Sequence, residues 1–315
     1  MTTTQRHPDS SFPLPGEAPA RWQSHVRASE IHSMDGTRIY YEAVGDGPKT
    51  LLLANGLGGR LHAWAPLLEA LHGRYRLLTW DYRGLFESDS PPSRRSLAIN
   101  RHVEDAVAIL DAEDVHSAVL CGWSMGVQVS LDVAAMHPSR VDGLVLLNGT
   151  YGHVFSTALQ PLFTVPGIPK LLHFAVRQLR DEPRTPAVLR TLAKWSEAMT
   201  LLAFTLTAGR RAFSLGPTLR QYNEDVLGES FDHFMHLFQE LDAHSVYHVL
   251  GEITAPALVI SGALDPLTPA RQSREMAKHL PRAERLALLR ASHFALLERP
   301  EVVVPAIERF LAALG

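Results

Sequence analysis

Gly122-Trp123-Ser124-Met125-Gly126 is the stretch on which the reading of this chain turns. It follows the apolar run Ser117–Gly122 and precedes a helix-like stretch, so G-x-S-x-G stands between a predicted strand and a predicted helix, the context that gives the motif meaning. A strand that turns at once into a helix leaves room only for small flanking residues, and glycine tolerates the backbone angles. Ser124 is therefore expected on the crest of the turn. There, at a helix N-terminus, the Met125 amide points toward any oxyanion that forms nearby. An ordinary serine in a Gly-rich turn would give the same five residues; the flanking strand and helix argue against it.

Working outward, short apolar runs at Thr50–Ala54, Tyr75–Trp80, Ser117–Gly122 and Val141–Asn148 have the composition of strands buried on both faces. Helical patterns separate them: Val103, Ala106, Val107 and Leu110 fall at i, i+3, i+4 and i+7. Upstream, Val26–Ile31 and Arg38–Ala43 read as a hairpin turning through Met34-Asp35-Gly36. Alternation of strand and helix predicts an α/β fold with a mostly parallel sheet and right-handed crossovers. The rhythm lapses after Gly149 and resumes with a strand at Ala257–Ser261, a helix near Ala270–Leu280, a strand at Glu284–Leu289 and a helix from Val302. Between them, helix-like segments are broken by Pro161, Pro166, Pro169, Pro183, Pro186 and Pro217. The expected organisation is a flexible Pro-rich lead-in over 1–25, a core built from 26–150 and 251–315, and a helical cap over 151–250.

A serine hydroxyl needs a base, and the base an orienting acid, in the chain order Ser, Asp or Glu, His. Asp265 lies in Ser261-Gly262-Ala263-Leu264-Asp265-Pro266, where the proline ends the strand and sets the carboxylate on a loop at the sheet's C-terminal edge. His293 follows in Ala291-Ser292-His293-Phe294, between the last strand and the last helix. Ser124, Asp265 and His293 are thus candidate nucleophile, acid and base. Asn55-Gly56-Leu57-Gly58-Gly59 follows another strand, and its Leu57 amide is the candidate second oxyanion donor beside that of Met125.

Bulk properties narrow the partners. Acidic and basic residues number 33 and 30 and are interspersed, without the basic stripe that tracks a phosphate backbone, so nucleic acid is not expected. A single cysteine forms no intramolecular disulfide and builds no Cys-based zinc site, which fits a reducing compartment. The first twenty residues lack the apolar run of a secretory signal, and the longest apolar stretch, Met199–Leu206, falls short of the roughly 20 residues that span a bilayer. A cytoplasmic protein without stable membrane insertion is the expectation.

Two decoys need bland readings. His233, His236, His244 and His248 have the spacing of any helix face and lack an H-E-x-x-H or cysteine partner, so no metal is expected. Gly56-x-Gly58 followed by Asp81 mimics a dinucleotide site, but G-x-G-x-x-G would need glycine where Leu61 stands.

The ordered motifs NGLGG at 55–59, DYRG at 81–84, GWSMG at 122–126, SGALDP at 261–266 and SHF at 292–294 resemble the α/β-hydrolase fold family, in the serine branch with a helical cap. The resemblance covers the chain from about residue 26 onward and is weakest in the cap. It implies a cofactor-free enzyme that attacks a carbonyl through an acyl-enzyme. A small hydrophobic carboxylic ester is the leading substrate class. A lactonase, C–C bond hydrolase or acyltransferase with the same three residues, and a ligand-binding protein without turnover, remain open. Two positions depart from the pattern: Asn55 stands where relatives often have histidine, and Phe86 where they usually have a second glycine after DYRG.

Overall fold

The computed structural model describes residues 20–154, 221–222, 225 and 231–315. The chain enters through a 3-10 turn, Arg21–His25, whose Trp22 is buried. This part of the expected flexible lead-in is therefore an ordered turn, fixed by burial of one large indole; residues 1–19 lie outside the described residues. β1 (Val26–His32) and β2 (Arg38–Val44) form the antiparallel hairpin, closed by Ser33 N donating to Thr37 O at 2.8 Å. Then follow β3 (Lys49–Ala54), α1 (Ala65–Leu71), β4 (Tyr75–Trp80), α2 (Ile99–Ala112), β5 (Ala118–Trp123), α3 (Met125–Met136) and β6 (Val141–Leu147). After the intervening segment come α4 (Phe231–Ala243), β7 (Ala257–Gly262), α5 (Ala270–His279), β8 (Ala283–Leu288), α6 (Ala295–Glu298) and α7 (Pro300–Ala313).

Eight strands form one sheet in the order β1-β2-β4-β3-β5-β6-β7-β8, antiparallel at β1–β2 and β2–β4 and parallel elsewhere. Both faces are covered, which explains why the parallel strands read as unbroken apolar runs. Leu52, Leu78, Leu120 and Leu144 point into one core with Val103, Ala106 and Ile109 of α2 and Val127 of α3. Their neighbours Leu51, Leu77, Val119 and Val145 point into the other, with Leu67 and Leu71 of α1 and Ile307 and Phe310 of α7. Each such side chain contributes about 1.5–3 kcal/mol by leaving water.

The chain runs from β3 to β4 on one side, then back across β3 to β5 on the other. The strand order reverses between β3 and β5, and a crevice at such a point is where open α/β sheets gather their functional groups. Register aligns the edge: Ala54 pairs with Gly122, Trp123 with Leu147, Leu147 with Ile260 and Gly262 with Leu288. The loops after β3, β5, β6, β7 and β8 therefore leave one side of the sheet together.

Most of the expected cap over 151–250 lies outside the described residues. Of its described part, α4 packs on the core through Leu237 and Leu241, and Gln128 of α3 donates to the Leu241 carbonyl at 3.1 Å. Among the described residues, no helix is long and apolar enough to cross a membrane.

Candidate active site

Ser124 sits between the last residue of β5 and the first of α3 with φ +56° and ψ −113°, a conformation that few non-glycine residues adopt. The turn is as crowded as the motif implied: a Cβ on Gly126 would lie 2.0 Å from the Ala54 carbonyl oxygen. Met125 is the first residue of α3, where backbone amides lack intrahelical acceptors.

The structure brings three of the predicted residues into one line. His293 Nε2 lies 2.9 Å from Ser124 Oγ, and His293 Nδ1 lies 2.9 Å from Asp265 Oδ2. An ionised carboxylate only accepts, so Nδ1 carries the proton and Nε2 is left to accept from the serine hydroxyl. Asp265 and His293 are buried, 5% and 6% exposed, and Ser124 is half-buried.

Asp265 is held on every lone pair. The amides of Leu267 and Thr268 donate to Oδ1 at 2.9 Å each, and Asn148 Nδ2 donates to Oδ2 at 2.9 Å. The Thr268 hydroxyl stands 2.7 Å from Oδ2 and 2.8 Å from the Asn148 carbonyl, and can give its one proton to either. Burial pushes the Asp265 carboxyl up, but His293 and the Thr268 donors outweigh it and leave the group below its ordinary range. The acid thus stays ionised although it is buried.

The loop bearing His293 is clamped from both flanks. Trp123 Nε1 donates to the His293 carbonyl at 3.0 Å. Ser292 N donates to Glu298 Oε2 at 2.8 Å, and the Ser292 hydroxyl donates to Glu298 Oε1. Asn148 also donates to the Ser292 carbonyl at 2.9 Å, tying the acid loop to the base loop.

Asn148, Thr268, Glu298 and Trp123 escaped the sequence reading as site residues. Asn148 left one signal, a polar side chain ending an apolar run at the edge where the other groups collect. Asn55 proves to be a bracket: its Nδ2 donates to the Trp80 carbonyl at 2.8 Å and its Oδ1 accepts from Trp64 Nε1 at 2.7 Å. The amide thereby fixes the start of the turn carrying Leu57. Arg83 of DYRG is wholly buried and forks onto both oxygens of Asp105, at 2.8 and 2.5 Å, anchoring the loop after β4. Phe86 has φ +52°, the left-handed region that favours glycine, so this backbone suits the glycine that the family pattern leads one to expect there. The Arg60 guanidinium lies 4.9 Å over its ring.

Two of the four histidines make local contacts. His244 Nε2 meets Asp132 Oδ2 at 2.5 Å, and His236 Nδ1 lies 3.0 Å from the Asp232 carbonyl. Among the described residues no group of three or more His, Cys, Asp or Glu converges as a metal site would require. Asp81 is buried and accepts from the Glu87 amide at 3.2 Å. Cys121 is fully buried, and burial pushes its thiol far up, as befits an inert core residue.

A sheet with this strand order, and a strained serine between its fifth strand and the following helix, defines a class. The model of the alpha/beta hydrolase fold family matches residues 49–300, and the chain belongs to that family. Among its relatives, the dihydrolipoyllysine-residue acetyltransferase component of the acetoin cleaving system of Pseudomonas putida is 28% identical over 86% of this chain; the chain spans only 66% of that protein. A carbamate hydrolase of Agrobacterium fabrum, RutD, so named provisionally, is 26% identical over 83% of this chain and 92% of its own length. The solved enol-lactonase of Burkholderia xenovorans LB400 superposes with a TM-score of 0.71 over 90% of this chain and all of its own, at 24% identity, a likeness of fold.

Proposed function

We propose that the chain is a serine hydrolase that cleaves a hydrophobic carboxylic ester through an acyl-enzyme on Ser124. The observation that carries the reading is the continuous line from Ser124 Oγ through the His293 ring to Asp265, 2.9 Å at each step. His293 Nε2 takes the hydroxyl proton as Ser124 Oγ attacks the ester carbonyl. The amides of Leu57 and Met125 hold the resulting oxyanion. His293 then returns the proton to the departing alcohol, and the acyl group stays on Ser124. Water repeats the sequence, releasing the acid and restoring the serine. Asp265, ionised throughout, fixes the imidazole tautomer and stabilises its charged form.

Residues 151–250 are read as a helical cap that shapes the acyl pocket. Phe155, Leu159, Phe163, Trp195 and Phe204 make that segment apolar, which favours an uncharged hydrophobic acyl group. A second reading keeps the acyl-enzyme and changes the acceptor; the similarity to an acetyltransferase component supports it.

Turnover of p-nitrophenyl esters from acetate to dodecanoate, wild type beside Ser124→Ala, tests the proposal. The expected result is multiple turnovers that Ser124→Ala reduces to background, a loss of about 10⁶-fold when a nucleophile of this kind is removed. Added alcohol or thiol that diverts product from acid to a new ester or thioester would favour acyl transfer. A folded wild type no more active than the mutant would sink the ester reading.

A further inference from the structure

The turn carrying Leu57 is shaped by a residue far away in the chain. Gly59 N donates to Gly56 O at 2.8 Å, and Gly58 has φ +76° while Leu57 has no positive φ. This is a type II turn with glycine at its third position. Its central peptide, Leu57 C=O to Gly58 N–H, is flipped by roughly half a revolution relative to a type I turn. A partner for the Leu57 carbonyl therefore selects between the two turns. The Leu57 amide takes no part in the turn's own hydrogen bond and stays available.

That partner is Tyr222, whose hydroxyl donates to Leu57 O at 2.7 Å. Tyr222 comes from the segment between β6 and β7, helical at Gln221, Tyr222 and Asp225. Its ring lies 5.7 Å from Phe294 at 84° and 6.3 Å from Trp123. Trp123 presses on the same turn, since a Cβ on Gly56 would come within 2.7 Å of its ring. Burial, with the Asp225 charge adding to it, pushes the Tyr222 phenol far up, so the group remains a protonated donor at any working pH.

We propose that Tyr222 is a positioning residue for the oxyanion hole: its hydroxyl grips the Leu57 carbonyl and holds the turn in its type II form, so that Leu57, the residue whose amide is the oxyanion donor, is anchored before substrate arrives. The inference rests on the serine-hydrolase reading above. Tyr222 bonds to Leu57 O and not to the reacting atoms, so it acts through another residue.

The test is the rate at which a fluorophosphonate labels Ser124. Serine oxygen bonds to phosphorus, the P–F bond breaks, fluoride leaves and the hydroxyl proton passes to His293; the phosphoryl oxygen needs the same donors as an ester oxyanion. Removing one oxyanion donor costs about 10²–10³-fold in such sites, so misaiming one through Tyr222→Phe should slow labelling about tenfold. The midpoint of the pH profile should stay at the wild-type value, because the base is untouched. Gly58→Ala penalises the same turn from the backbone side and should give the same loss at the same midpoint, which keeps the test open should Tyr222→Phe fold poorly. Labelling of Tyr222→Phe within twofold of wild type overturns the proposal. So does a shifted midpoint, which would mean that Tyr222 acts on the His293 loop through Phe294 and Trp123. If wild type and Ser124→Ala label alike, the serine-hydrolase reading itself fails and takes this inference with it.

Discussion

Asn148 Nδ2 donates to Asp265 Oδ2 at 2.9 Å, the same oxygen that His293 Nδ1 approaches at 2.9 Å. The amide also reaches the Ser292 carbonyl at 2.9 Å, so one side chain from the end of β6 sets the loops after β7 and β8 relative to each other. Asn148→Ala removes both donors. The expected outcome is a kcat lower by about tenfold with KM within twofold, since small displacements of reacting groups cost one to two orders of magnitude. Asn148→Asp should behave differently. Its carboxyl would face Asp265, a like charge that raises its pKa. Protonated, it can donate as the amide did; ionised, it repels. The ratio of Asn148→Asp to wild-type kcat should therefore fall as pH rises, and a flat ratio would refute the account.

Phe86 holds a left-handed backbone at φ +52° while its ring sits under Arg60 and against the core. Left-handed conformation costs an L-residue about 1–2 kcal/mol, and glycine's extra freedom in the unfolded chain costs about 0.5–1 kcal/mol. Both Phe86→Ala and Phe86→Gly lose the ring, but only alanine keeps the backbone penalty. Urea denaturation should rank Phe86→Gly above Phe86→Ala by about 0.5–1 kcal/mol, inverting the usual order. The usual order, alanine above glycine, would show that this backbone relaxes.

The elements were legible because their signals are local. Apolar runs gave β3 to β8 within a residue or two, Asp35-Gly36 gave the hairpin, and the spacing of Val103 to Leu110 gave α2. That Ser124, Asp265 and His293 would come together was legible because strand ends fix where their loops emerge. What stayed hidden acts across long separations. Asn148 meets Asp265 across 117 residues, and Tyr222 meets Leu57 across 165. No periodicity reports such pairs. Phe86 was visible as a departure from a family pattern, but its meaning needed the backbone angle.

His102 is buried in α2, with its Nε2 3.3 Å from the Leu97 carbonyl and its ring 4.8 Å from Tyr82. Burial, reinforced by the Arg83 charge and opposed by the Leu97 carbonyl, lowers its pKa to about 3. The folded state therefore stays unprotonated here while the unfolded chain takes up a proton below its ordinary pKa of about 6.5. The unfolded state binds more protons, so stability rises with pH through this window and falls as pH drops from about 6.5 toward 3. The slope is about 1.4 kcal/mol per pH unit well inside that window. His102→Gln, which keeps a donor for Leu97, should flatten the dependence between pH 6 and 4.5 in denaturant titrations. Parallel curves for mutant and wild type would mean that His102 protonates in place.

Glu298 closes the back of the site without touching it. Its Oε2 accepts from Ser292 N at 2.8 Å and its Oε1 accepts from the Ser292 hydroxyl, directly before His293 in the chain. The side chain is 1% exposed, so whatever replaces it meets no water. Glutamine can satisfy both contacts: its oxygen accepts from Ser292 N, and its amide donates to a serine hydroxyl that turns round to accept. Only the charge assistance is lost, which suggests a stability cost of about 1 kcal/mol and kcat near wild type. Alanine instead leaves the Ser292 amide buried without its partner, a cost of about 1–3 kcal/mol, and frees the loop that aims His293 Nε2 at Ser124. Glu298→Ala is therefore expected to lose about tenfold in kcat with KM little changed. The pair separates geometry from charge: equal losses in both variants would mean that the carboxylate's charge, and not its two-point grip on Ser292, sets the base.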